Sequence, residues 1–167
     1  HDIARAGRTF GARGFFVVTF NFSHNGIGDN PTEFTRLDKF AENTLSREVR
    51  ELTEMIGAVR GGVFGPTRDA KIGILGHSRG GGVALAAAGR RTDLDAVAVW
   101  SSVSHFDRYS EEAKKEWREK GYSEVVNART GQVMKMKVEF LDDIEQNRDD
   151  YLSIEKAVRE MDVPLLI

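Results

Sequence analysis

The stretch Ala70-Lys71-Ile72-Gly73-Ile74-Leu75-Gly76-His77-Ser78-Arg79-Gly80-Gly81-Gly82-Val83-Ala84-Leu85-Ala86-Ala87-Ala88-Gly89 decides the fold. Ile72, Ile74 and Leu75 form an apolar run of strand length, glycines cluster at 76 and 80–82, and Val83–Ala88 is a small-residue segment with high helix propensity. The order predicts strand, tight turn, helix. Within the turn, Gly76-His77-Ser78-Arg79-Gly80 fits G-x-S-x-G, a pattern that places its serine on a sharp, strained backbone at the carboxyl end of a strand. Gly80 is expected to be intolerant of large side chains, because the helix after the turn must approach the sheet closely.

The same turn carries chemistry. A serine hydroxyl is a weak nucleophile until a base takes its proton, so it must project where an imidazole can reach it. The first turn of the following helix has unpaired backbone N–H groups, and that of Arg79 would face an oxyanion formed at an attacked acyl carbonyl. One such donor contributes roughly 3–4 kcal/mol in well-studied hydrolases. A dinucleotide-binding turn would need glycine where Ser78 stands, and no G-x-x-x-x-G-K-[ST] occurs in the chain. A structural glycine-rich connection with an incidental serine is the remaining reading of the stretch.

The 167 residues are a one-domain length, and 40% hydrophobic content is enough to bury a core. A net charge of −2, with neither sign clustered, argues against nucleic-acid and membrane-surface roles. Without cysteine there is no disulfide framework, thiolate metal site or cysteine nucleophile. Histidines at 1, 24, 77 and 105 are too scattered to suggest a metal cluster, and no cofactor motif is present. Apolar runs such as Phe15–Val18 and Val83–Ala88 are far shorter than the roughly 20 residues that span a bilayer. With no signal peptide visible, a cytoplasmic enzyme is the default expectation. The first residue is His1 rather than Met, so an amino-terminal segment is expected to precede it.

Taken in order, Asp2–Arg13 has helical spacing and a C-cap at Gly14. Phe15–Phe20 is continuous, β-branched and aromatic, which predicts a strand covered on both faces of a parallel sheet. Asn21–Pro31 reads as a loop at the edge where Ser78 emerges. Apolar positions three or four apart from Leu37 to Val59 predict one amphipathic helix or two in tandem, ended by Gly61-Gly62. Ala96–Trp100 is a further buried strand. This alternation predicts a doubly wound, mainly parallel α/β sheet with right-handed crossovers. Residues 104–148 depart from it and read as a cap-like insertion: a charged helix over Ser110–Lys120 carrying Trp117, a hairpin over Glu124–Val138 turning at Arg129-Thr130-Gly131, and a helix over Phe140–Asn147. In residues 149–167 a return helix over Ser153–Met161, N-capped by Ser153, is expected to pack on the sheet, before a core strand begins at Val163-Pro164-Leu165-Leu166-Ile167.

These residues resemble the α/β-hydrolase superfamily, most nearly its dienelactone-hydrolase-like and serine-esterase-like branches. The resemblance rests on F-F-V-V-T-F-N-F-S, the G-H-S-R-G-G elbow, A-V-A-V-W-S-S and V-P-L-L-I, and it covers essentially the whole chain. It implies an α/β-hydrolase core over residues 1–103, Ser78 as nucleophile and the Arg79 N–H as half of the oxyanion hole. The family orders its triad as Ser, acid, His. The acid and histidine are therefore expected beyond Ile167 and the second oxyanion donor before His1, which makes the chain an internal fragment truncated at both ends.

Within the chain, His24 is a candidate base or site-lining residue and Asp107 a candidate acid, each against a more ordinary role: polar loop residue for His24, helix cap near Ser110 for Asp107. His77 reads as a packing residue, and Trp100 and Trp117 as core and cap packing. The expected function is hydrolysis of a small carboxylic ester or related acyl compound through an acyl-serine intermediate, with no cofactor and no metal. The alternatives are a non-catalytic binding or scaffold protein of the same fold, and an acyltransferase. The expected partner is a small-molecule acyl substrate; a homo-oligomer is allowed.

Overall fold

The computed structural model describes residues 2–30, 33–127 and 130–167, with the side chains of 2–4 left aside. Pro31 of the predicted loop and Arg129 of the predicted hairpin turn lie outside the described residues, as does His1. The elements run α1 (Asp2–Gly11), α2 (Leu37–Ala41), α3 (Leu45–Arg60), β1 (Gly73–His77), α4 (Arg79–Ala88), β2 (Ala96–Trp100), α5 (Glu111–Lys120), β3 (Tyr122–Val126), β4 (Val133–Lys137), α6 (Val138–Asn147), α7 (Ile154–Glu160) and β5 (Leu165–Leu166).

β1, β2 and β5 form a parallel sheet in the order β1-β2-β5, and β3 pairs antiparallel with β4 as a separate hairpin. Because side chains alternate along a strand, the register sorts the sheet into two faces. Ile74 pairs with Val97 and Gly76 with Val99, and these point at α4. Leu75 pairs with Ala98 and His77 with Trp100, and these point the other way.

The α4 face is the packed one. Every residue from Gly81 to Ala88 is buried, since glycine and alanine let α4 lie close to its neighbours on several sides at once. A Cβ on Gly82 would fall 2.7 Å from Val103 and 2.9 Å from Ile154 of α7, and one on Gly89 would fall 2.6 Å from the Ala157 Cβ. The return helix α7 thus packs on α4 rather than on the sheet. Its predicted cap is in place: the Ser153 hydroxyl accepts from the Lys156 N–H.

The Leu37–Val59 periodicity resolves into two helices, the second capped by Thr44 through the Arg47 N–H. Residues 104–148 contain the expected helix, hairpin and helix. Trp117 anchors them, its indole N–H donating to the Met136 carbonyl at 2.9 Å and its ring stacking on Phe140. This segment does not stand apart. Trp117, Met136, Phe140, Leu141 and Ile144 belong to the same core as Leu45, Val49 and Val97, and the Asp143 carboxylate accepts from the Ser46 N–H of α3.

Two further expectations fail. Phe15–Phe20 forms no strand and pairs with no described strand, and Phe15 and Phe16 are 61% and 63% exposed. β-branched and aromatic composition favours extended backbone, but a strand also needs a neighbour's N–H and C=O groups, and none lies beside this segment. Trp100, read as core packing, is 51% exposed on the second face of the sheet. There α1 lies over it, with Arg5, Ala6, Thr9, Phe10 and Trp100 lining an open cleft of about 310 Å³. The described residues thus combine helices with a parallel sheet, an α/β fold.

Candidate active site

Ser78 joins β1 to α4 with φ 54° and ψ −124°. A positive φ is costly for a residue with a Cβ, on the order of 1–3 kcal/mol, and persists only where its surroundings enforce it. Here they do. The Ser78 N–H donates to the Trp100 carbonyl at 3.0 Å, and the Ser78 carbonyl accepts from Gly81 at 2.9 Å and from Val103 at 3.3 Å. The turn is thus clamped between the end of β2 and the start of α4. The residue after β2, Ser101, also has positive φ, at 48°.

The glycines around the turn divide unequally. A Cβ on Gly76 would meet the Gly80 carbonyl, the Gly81 Cα at 2.7 Å and the Ala84 Cβ at 2.9 Å, and one on Gly81 would lie 2.7 Å from the Ser102 Cβ. Gly80, by contrast, has open space where its Cβ would be, so the expectation that it is the intolerant position is corrected: the close approach falls on Gly76 and Gly81. The helix meets the strand over its inner face, and position 80 points away from that contact.

Ser78 is exposed, and its hydroxyl makes no hydrogen bond among the described residues. The N–H groups of Arg79 and Gly80, first in α4, take no protein acceptor among those residues either. A solvent-facing hydroxyl therefore sits beside unpaired amides at the positive end of a ten-residue helix, an arrangement suited to stabilising negative charge on a group bonded to Ser78 Oγ.

The Arg79 guanidinium reaches back to α3. Its Nη2 donates to Glu48 Oε1 at 2.9 Å, and Asn43 Nδ2 donates to the same oxygen at 2.6 Å. Glu48 is only 1% exposed, against 40% for Arg79. Burial pushes the Glu48 carboxyl above its ordinary range, opposed by Arg79 and by the Asn43 hydrogen bond. This pair was not anticipated, although a signal exists. Glu48 falls three residues after Leu45 and four before Leu52, inside the apolar stripe of the predicted helix, where a carboxylate must find a partner.

None of the described histidines is hydrogen-bonded to the Ser78 hydroxyl. His24 lies within hydrogen-bond distance of Ser23 Oγ through Nδ1 (2.6 Å) and of Arg47 Nη1 through Nε2 (2.6 Å), while the Ser23 hydroxyl donates to Glu51. Arg47 Nη1 also lies 2.9 Å from Nδ1, so Ser23 and the Arg47 guanidinium engage both ring nitrogens of His24. Burial first and Arg47 second hold its pKa below the ordinary histidine value. Asp107 accepts from Lys114 Nζ at 2.8 Å and lies 3.7 Å from Arg148. The cap of α5 is Ser110 itself, through the Ala113 N–H, so Asp107 serves as an ion-pair partner to the helix and not as its cap. His105 pairs with Ser104, and His77 sets its ring edge-on to Trp100 at 5.3 Å. No group of three or more His, Asp or Glu among the described residues could hold a metal ion, and no described helix is long and apolar enough to cross a membrane.

No family model matches the chain, and no curated protein matches it. Among solved structures it is similar to a "putative hydrolase" from Agrobacterium vitis S4, with a TM-score of 0.51 and 17% identity over 77% of this chain. At that identity the likeness is one of fold, to the α/β arrangement of a hydrolase. The chain spans 60% of the length of that structure.

Proposed function

We propose that Ser78 is the nucleophile of a serine hydrolase that acts on a small carboxylic ester or related acyl compound. The observation that supports this reading is the backbone of Ser78 itself: a non-glycine residue at φ 54°, hydroxyl free, ahead of two unpaired amides. Strain of this kind is maintained by four backbone hydrogen bonds, and its effect is to lift the hydroxyl clear of strand and helix.

In the proposed reaction a base takes the Ser78 proton as Oγ attacks the acyl carbon. The carbonyl π-bond electrons move onto oxygen, and the Arg79 N–H donates to that oxyanion. Collapse, with the base passing that proton to the leaving oxygen, expels the alcohol and leaves acyl-Ser78; the same base then takes a proton from water as it attacks the acyl carbon, and gives it to Oγ as the acid leaves. The similarity to a hydrolase fold supports the class of reaction, and the ester specificity rests on the elbow.

The test is labelling of the complete natural polypeptide with a fluorophosphonate, which forms a bond to an activated serine. Wild type should be labelled, and Ser78→Ala should not while keeping its circular dichroism. Equal labelling of both rejects the assignment.

A further inference from the structure

We infer that Glu48 is a positioning residue for the elbow, acting through Arg79; the inference rests on the nucleophile reading of Ser78. Three observations lead to it. The first is that Glu48 is a poor choice for stability. A carboxyl whose pKa is raised in the folded chain holds its proton better there than when unfolded, so its favourable contribution is fully present below the unfolded value and is lost as pH rises through the raised one. Ionised, Glu48 is carried at a cost that an apolar residue in the same stripe would not impose.

The second is where that charge is spent. Among the described residues its hydrogen-bond partners are Arg79 and Asn43, and Arg79 immediately follows Ser78 and supplies the first free amide of α4. Tying the guanidinium to a rigid helix fixes the side chain of residue 79 and, through its Cα, limits rotation of the Ser78–Arg79 peptide whose N–H faces the site. The third is that Asn43 Oδ1 is buried without a hydrogen-bond partner. The Asn43 amide N–H holds the Glu48 oxygen that Arg79 also grips, so loss of the Glu48 charge weakens the hold on Arg79 while the Asn43 contact stays. The charged groups that bear on this equilibrium are Arg79 from α4 and Glu51 from α3.

The experiment measures fluorophosphonate labelling rates of the complete natural polypeptide against pH for wild type, Glu48→Gln, Arg79→Met and the double variant. Gln keeps the size and an acceptor oxygen, and its amide can donate to Asn43, so Glu48→Gln should fold with an undiminished melting temperature at pH 7.5. Its labelling should nevertheless slow by about 10-fold or more, the order expected when an oriented group loses its alignment. The wild-type to Glu48→Gln rate ratio should fall toward one as acid protonates Glu48, a trend a purely structural role would not produce. The double variant should be no slower than the slower single variant. Arg79→Met breaks the pair from the solvent side and serves if Glu48→Gln does not fold. Labelling of a folded single variant at the wild-type rate, or additive losses in the double variant, overturns the inference while leaving the nucleophile reading intact. Absence of labelling in wild type overturns both.

Discussion

At the scale of single residues, the molecule concentrates its constraints on the few atoms around Ser78. Gly76 and Gly80 are both letters of the same motif, yet only Gly76 faces backbone that cannot move aside. Gly76→Ala should lose more than about 3 kcal/mol, because a methyl group is forced against the Gly80 carbonyl and Gly81 Cα. Gly80→Ala should lie between no change and about 1 kcal/mol of stabilisation, since the site is open, the chain there is helical, and alanine restricts the unfolded state. Urea melts of the two variants would check the contrast, and similar losses from both would show that the turn is packed differently. That Gly76 and not Gly80 is the tight position cannot be read from G-x-S-x-G, which names residues without saying which one faces the helix.

Among the elements, α4 shows why the small-residue run is needed: it is buried along nearly its whole length between sheet, α3 and α7. Gly89→Val should be as damaging as a core mutation although it lies at a helix end, because the added atoms would enter Ala157 of α7. Loss of the cooperative thermal transition would record it. Away from such contacts, caps decide helix stability. Ser110→Ala removes the hydroxyl that accepts the Ala113 N–H and should cost about 1 kcal/mol in a chemical melt. The loop from Phe22 is held differently, by the Ser23–His24–Arg47–Glu51 cluster on α3. His24 has its pKa lowered by burial and by Arg47, so its contribution to stability is present above the unfolded value of 6.5 and is lost as pH falls through the depressed folded value. Amide exchange over residues 23–28, divided by the intrinsic rate at each pH, should lose protection across that acidic window in wild type, and His24→Gln should remove that loss.

For the molecule as a whole, the asymmetry of the sheet is the dominant physical fact. One face meets α4; the other shows Leu75, Trp100 and Leu166, the last 71% exposed, with Phe15 and Phe16 beside α1. Parallel sheets are ordinarily covered on both faces, and exposed apolar strand surface is prone to association. The isolated 167 residues should therefore bind an apolar dye such as ANS and self-associate at micromolar concentration. Leu166→Lys should reduce both effects with little change in the cooperative melt, since Leu166 is already in solvent. A monomer that binds no dye would show that this face is closed in solution.

The sequence by itself determined the local elements around 70–89, the tandem helices over 37–60, the hairpin, the cap at Ser153, and Ser78 as the residue of interest. Each follows from short-range physics: periodicity, turn chemistry and capping depend on neighbours within a few positions. Tertiary structure alone decided that Phe15–Phe20 pairs with no described strand, that Trp100 is exposed, and that His24 and Asp107 are engaged by Arg47 and Lys114. It alone brought Glu48 to Arg79, 31 residues away along the chain. Strand pairing, burial and ion pairing are properties of which distant segments meet, and composition and periodicity carry no record of that meeting beyond the single hint of a carboxylate inside an apolar stripe.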